Sequence, residues 1–149
     1  PAIVEEVAYF GSDDGHLYAV DTKTGQQKWR FPTKAHTPSS PTVVDGVVYI
    51  GSMDNHLYAV DSQTGQEKWK FPTNARVFSS PTVADGVVYV GSEDQHLYAV
   101  DCQTGQELWR FEAGSCAVNG SPVVDNGVVY FLCMDVLSMD GNFYAVRVK

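Results

Sequence analysis

Three histidines return at a fixed interval along this chain, His16, His56 and His96, and an aspartate stands two residues ahead of each: Asp14, Asp54 and Asp94. Asp140 and Asn142 form a fourth pair. Converging imidazoles would be transition-metal chemistry, and a ring of carboxylates would suit calcium. The even spacing argues against both. Equivalent residues in successive repeats sit too far apart to share one ion at ~2 Å. The expectation is structural: each His pins the preceding turn by a hydrogen bond, and each Asp caps it. Tyr18, Tyr58, Tyr98 and Tyr144 recur in the same way and read as sheet packing. Cys102, Cys116 and Cys133 show no metal spacing, and their odd number leaves at least one free thiol. Cys102 stands where the neighbouring repeat has Ser62, so it reads as a small tolerated residue, with a disulfide or redox role as the alternative. No Ser/His/Asp set, no non-repeating carboxylate pair and no glycine-rich phosphate loop is present.

The elements that carry these residues repeat with them. Residues 41–80 and 81–120 agree at 24 of 40 positions without a gap, and a period of this size marks stacked units rather than one mixed core. Helical periodicity is absent. Each unit instead holds four short extended runs rich in Val, Tyr, Trp and Phe, in the second unit 40–44, 47–52, 56–61 and 67–71. Asp45-Gly46, Asp85-Gly86 and Asn126-Gly127 are two-residue hairpin signals. The segment 61–66, repeated at 21–26 and 101–106, is a second tight turn in which Asp bonds backbone N–H groups two or three residues on. Four hairpin-linked strands repeated every ~40 residues predict an all-β fold, a β-propeller of four-stranded antiparallel blades. The blades fall at about 1–37, 38–78, 79–118 and 119–149 within one domain. The last is incomplete: Arg147 stands where Asp belongs, the Trp-bearing strand is missing, and about five extra residues fall within 133–139.

Net charge is −8, with 10 Lys and Arg against 18 Asp and Glu. That argues against nucleic acid or anionic lipid as the main partner. No apolar run approaches the ~20 residues of a membrane helix. The opening Pro1-Ala2-Ile3-Val4 reads as strand rather than signal peptide, as expected of a mature or excised piece.

Within each complete unit Ala, Asp, Thr-Gly and Trp keep one spacing: Asp21, Thr24, Gly25 and Trp29, then Asp61, Thr64, Gly65 and Trp69, then Asp101, Thr104, Gly105 and Trp109. This resembles the tryptophan-docking motif of the PQQ-like (quinoprotein-like) β-propeller repeat family. The resemblance spans essentially the whole chain. It implies that each indole covers the join between neighbouring blades while its N–H finds a carbonyl near a turn. The family includes BamB-like assembly proteins, quinoprotein alcohol dehydrogenases and sensor domains of bacterial kinases. Its members are mostly extracytoplasmic, which favours a periplasmic or secreted location. Its enzymes hold PQQ with calcium, a catalytic Asp, a stacking Trp and a disulfide between adjacent cysteines. Here no cysteines are adjacent and all three Trp belong to docking motifs. The expectation is therefore a non-catalytic binding or scaffold module without cofactor or metal, with a dehydrogenase relative or a ligand sensor as the alternatives.

Complete rings of the family usually have seven or eight blades, as the resemblance implies, and about four are present. The raw faces are expected to be covered by a second chain, a homodimer completing an eight-bladed ring; a small closed ring and a fragment of a longer protein are the other solutions. The first and third connectors of a blade lie on one side of the ring and are nearly identical between blades. The second connectors and inter-blade links lie on the other side and vary, so recognition of a protein partner is expected there. The residues singled out are His36, Met53, Arg76, Phe78, Glu93 and Asn119.

Overall fold

The structure, a computed structural model, describes residues 1–135 and 137–148. Fifteen strands among them form four antiparallel meanders. Blade 1 holds β1 (Ala2–Val4), β2 (Val7–Gly11), β3 (His16–Asp21) and β4 (Gln27–Pro32). Blade 2 holds β5 (Thr42–Val44), β6 (Val47–Ser52), β7 (His56–Asp61) and β8 (Glu67–Pro72). Blade 3 holds β9 (Thr82–Ala84), β10 (Val87–Gly91), β11 (His96–Asp101) and β12 (Glu107–Glu112). Blade 4 holds β13 (Val123–Asp125), β14 (Val128–Met134) and β15 (Gly141–Arg147), with no fourth strand among the described residues.

Turn chemistry sets the register. Asp45 and Gly46 both take positive φ, 48° and 75°, the geometry of a type I′ hairpin whose twist matches its strands. Val44 therefore faces Val47, and Thr42 faces Tyr49. Each pairing of third and fourth strands carries a bulge, between Ala59 and Val60 in blade 2. There Trp69 lies opposite Ala59, whose small side chain leaves room for the indole.

Strand alternation gives every blade two apolar faces. The front face of blade 1 (Val7, Tyr9, Leu17, Ala19, Trp29, Phe31) packs on the back face of blade 2 (Val48, Ile50, Tyr58, Val60). The same set from blade 2 packs on Val88, Val90, Tyr98 and Val100 of blade 3. Inner strands β1, β5, β9 and β13 neighbour one another in that order. Side chains stitch them: the Thr42 hydroxyl donates to the Pro81 carbonyl (2.6 Å) and the Thr82 hydroxyl to that of Pro122 (2.5 Å). The architecture is thus a β-propeller arc of about four blades. The arc does not close on itself, because Ile3 on blade 1 and Phe143 on blade 4 stay 70% and 65% exposed. The small closed ring is therefore not adopted, since in it these two end faces would cover each other.

Candidate functional site

Each repeated motif has a local structural job. The Asp61 carboxylate accepts from the backbone N–H groups of Gln63 and Thr64 and from the Thr64 hydroxyl, at 2.9–3.0 Å. Asp21 and Asp101 do the same in their blades. The Thr N–H and hydroxyl bonds hold all three carboxyls below the usual carboxylate range. The turn so fixed is a platform for the preceding blade. Trp29 Nε1–H donates to the Ser62 carbonyl and Trp69 Nε1–H to that of Cys102, both at 2.9 Å. The indoles lie flat on Gly65 and Gly105, where an added Cβ would stand 2.7 Å from the ring. Trp29 and Trp69 are buried. Trp109 is half-buried, and its indole N–H has no acceptor among the described residues.

The recurring histidines do not converge. His56 Nδ1–H donates to the Asp54 carbonyl (2.9 Å), and His96 to that of Asp94 (2.9 Å). The tyrosine two residues on donates to the same aspartate: Tyr58 to Asp54 at 2.5 Å, Tyr98 to Asp94 at 2.7 Å, Tyr18 to Asp14 at 2.6 Å. Burial and these carboxylates push Tyr58 and Tyr98 well above the ordinary phenol range. Blade 4 departs from the pattern: Tyr144 donates to the Ala113 carbonyl instead (3.0 Å), and Asp140 is left out. No group of three His, Cys, Asp or Glu gathers with metal-site geometry among the described residues.

The two sides of the arc are as unlike as their sequences. On one side the Asp-Gly and Thr-Gly turns of adjacent blades border two clefts. One, of about 690 Å³, includes Glu5, Tyr9, Asp45, Ser62 and Gln63. The other, of about 640 Å³, includes Tyr49, Lys68, Asp85, Cys102 and Gln103. Cys102 is the free thiol, half-buried and pushed up by burial. On the other side each second connector is tied to the preceding inter-blade link. Met53 N–H donates to the His36 carbonyl (2.9 Å), Glu93 to Arg76 (3.0 Å) and Met134 to Ala117 (2.9 Å). His36 and Arg76 are exposed there, and Met53, Phe78, Glu93 and Asn119 are half-buried. His36 with Met53 and Arg76 with Glu93 thus stand paired on one side, and Phe78 and Asn119 lie in the inter-blade links after blades 2 and 3. The clefts on the opposite side have no counterpart in the sequence reading, because they arise from the gap between blades rather than from any residue type.

A disulfide was also missed. Cys116 and Cys133 are bonded, linking the third inter-blade link to β14. Cys133 occupies the place of Ser52 and Ser92. Those hydroxyls donate across their junctions, Ser52 to the Thr33 carbonyl (3.3 Å) and Ser92 to that of Ala75 (3.2 Å). The bond thus replaces a polar clip. The signal was Cys133 at a Ser position together with a link one residue longer than its two predecessors.

Radial four-stranded blades locked by indoles on Asp-x-x-Thr-Gly turns define a β-propeller of the PQQ-like class. The family model described as "Outer membrane protein assembly factor BamB" matches residues 13–149, and the chain belongs to this family. Among solved structures it is similar to BamB from Moraxella catarrhalis (20% identity, TM-score 0.77), with 95% of this chain covering 50% of that one. It is similar to the computationally designed Ika4 protein (18%, TM-score 0.82; 99% of this chain, 88% of that). It is also similar to the quinohemoprotein alcohol dehydrogenase ADHIIG from Pseudomonas putida HK5 (22%, TM-score 0.78; 89% and 28%). The chain spans about half the length of the Moraxella BamB chain. These likenesses establish the fold alone. No curated protein matches the sequence.

Proposed function

We propose that this chain is a non-catalytic binding module that holds a protein partner on its variable side, as part of a propeller ring completed by a second copy. The observation that carries this reading is the set of cross-blade backbone bonds under His36, Met53, Arg76 and Glu93. They fix dissimilar side chains on one rigid surface, which is how a scaffold presents recognition loops. The family's description as an assembly factor supports a protein rather than a small-molecule partner. The Cys116–Cys133 disulfide supports an oxidising, extracytoplasmic compartment. An arc spanning half of the Moraxella BamB chain, with raw faces at both ends, supports a second copy completing eight blades.

Site-directed photo-crosslinking tests the surface. Probes at His36, Arg76 and Glu93 are expected to trap the same partner in cells, and probes at Gln63 and Gln103 on the opposite side are not. Crosslinking confined to Gln63 and Gln103 would refute the assignment. Titration with PQQ and calcium, followed by absorbance, separates the dehydrogenase alternative. Saturable one-to-one binding would overturn the non-catalytic reading.

A further inference from the structure

The front of the fourth blade turns an apolar face to water. Four front-facing positions are apolar and exposed: Val123 (60%), Leu132 (55%), Met134 (50%) and Phe143 (65%). Their shared direction follows from register, since Val123 pairs with Tyr130, Leu132 with Phe143 and Met134 with Gly141. The equivalent positions of blade 3 hold Thr82, Gly91, Glu93 and Leu97. Every exchange makes blade 4 larger or more apolar where it meets water.

Leu132 is the informative member. At its equivalents Gly11, Gly51 and Gly91, the link to the next blade crosses the strand. An added Cβ there would lie 2.3 Å from the Thr37 carbonyl oxygen, 2.4 Å from Val77 and 2.3 Å from the Val118 carbonyl oxygen. A leucine side chain fills the space those links need. The front of blade 4 is therefore shaped for a neighbouring blade that arrives without a link across it.

The matching surface stands at the other end of the arc. Ile3, Ala8, Phe10, Tyr18 and Val20 present the back-face pattern that Val43, Val48, Ile50, Tyr58 and Val60 use in blade 2. Val48, Ile50, Tyr58 and Val60 are at most 3% exposed, whereas Phe10 is 36% and Ile3 70% exposed.

We propose that the front face of blade 4, centred on Leu132 and Phe143, seats the back face of blade 1 of a second copy, centred on Phe10, in a junction that no link crosses. Two such junctions, head to tail, close the ring. The proposal rests on the ring-completion reading above and names its surfaces. The internal junctions supply one further detail. Tyr9 and Tyr49 donate to the carbonyls of Ser62 and Cys102 (3.2 and 3.5 Å), so Tyr130 is positioned to donate to the Thr22 carbonyl of the other copy.

Sedimentation velocity over a range of concentrations tests this with the whole chain. Leu132→Glu and Phe10→Glu alter side chains that are exposed in the single chain, and unchanged circular dichroism and melting confirm the fold. Each is expected to weaken self-association by at least about tenfold. An equimolar mixture of the two variants regains part of the affinity, because one of its two junctions is native. If Leu132→Glu dissociates the dimer and Phe10→Glu does not, blade 4 faces pair with each other and the proposal falls. If the dimer ignores both variants, the junction is wrong while ring completion by a second copy stands. A wild-type chain of 16.3 kDa at every concentration overturns both.

Discussion

The junction between blades 2 and 3 and the junction between blades 3 and 4 solve one packing problem from opposite ends. The first is locked at its outer rim: Trp69 lies on Gly105, bonds the Cys102 carbonyl, and is flanked by Tyr49 with ring centroids 5.8 Å apart. The second has no outer turn to receive Trp109 among the described residues. It is locked closer to the axis by the Cys116–Cys133 bond and by a cluster in which Phe111 meets Phe131 edge-on (5.9 Å) while Phe131 stacks on Tyr144 (5.2 Å). The Phe–Tyr contact is common to the junctions, Phe71–Tyr98 at 5.2 Å and Phe111–Tyr144 at 5.5 Å, so what the last junction adds is the disulfide and the Phe131 ring. The largest expected effect tests this contrast directly. Trp69→Ala should cost on the order of 3–5 kcal/mol, against about 2 kcal/mol for Trp109→Ala, whose ring still packs in the junction but has no hydrogen-bond acceptor among the described residues. Urea denaturation of the two variants measures the difference, and equal losses would erase the distinction between the junctions.

The second effect lies on the inner lock. Cys116 and Cys133 are 17 residues apart, and closing a loop of that size is worth about 3 kcal/mol. Cys133→Ser is expected to lower stability by roughly that amount, with the loss confined to blade 4 in hydrogen exchange. A reducing agent should reproduce the loss in the wild type and leave Cys133→Ser unchanged. The serine restores the hydroxyl of Ser52 and Ser92, so a variant as stable as the wild type would mean that the polar clip and the covalent one are interchangeable.

Much of this was legible in the residues, and the limits follow from what a repeat shows. The hairpin turns, the strand order and the turn-capping aspartates are short-range chemistry copied in every unit, so comparing units was enough to read them. That the Trp of one blade docks on the turn of the next is a relation between units 33 residues apart, and the motif spacing does not reveal which turn is used. The disulfide and the exchanges at Leu132 and Val123 occur once each. A repeat comparison treats single departures as noise, yet Cys133, Leu132 and Phe143 are where the last blade's distinct role is written. The side-chain set around Arg76 and Phe78 was legible as variable, but its partner was not, because a surface states its own shape and not what fits it.

A smaller effect isolates the rim contact from backbone conformation. Gly25 and Gly105 share a φ of +70°, yet nothing lies within 4 Å of an added Cβ at Gly25, whereas Trp69 stands 2.7 Å from one at Gly105. Gly25→Ala should cost about 1–2 kcal/mol of left-handed strain alone, and Gly105→Ala that strain plus about 1–3 kcal/mol of overpacking. The difference in urea midpoint reads the indole contact without removing the indole. A vanishing difference would show that the Trp69 ring moves aside freely and is not locked at all.

The smallest effect is in pH, and it too separates the junctions. Asp21, Asp61 and Asp101 titrate below the usual carboxylate range because the backbone N–H and hydroxyl of the following Thr favour their charged forms. A depressed pKa in the fold means stability that is present above the unfolded value of about 4 and is lost as pH falls through the folded value. The three Thr-Gly turns should therefore loosen in acid, and with them the platforms under Trp29 and Trp69. Arg147 stands where blade 4 would have its aspartate, so no Asp-capped Thr-Gly turn among the described residues supports the disulfide-bonded junction. Hydrogen exchange at pH 3 compared with pH 6, corrected for intrinsic rates, is expected to show lost protection at Gly65 and Gly105, whose amides donate to the Asp61 and Asp101 carbonyls (2.9 Å each). Val118 and Met134 at the last junction should keep theirs. Uniform loss across all junctions would mean that acid acts through overall charge rather than through these turns.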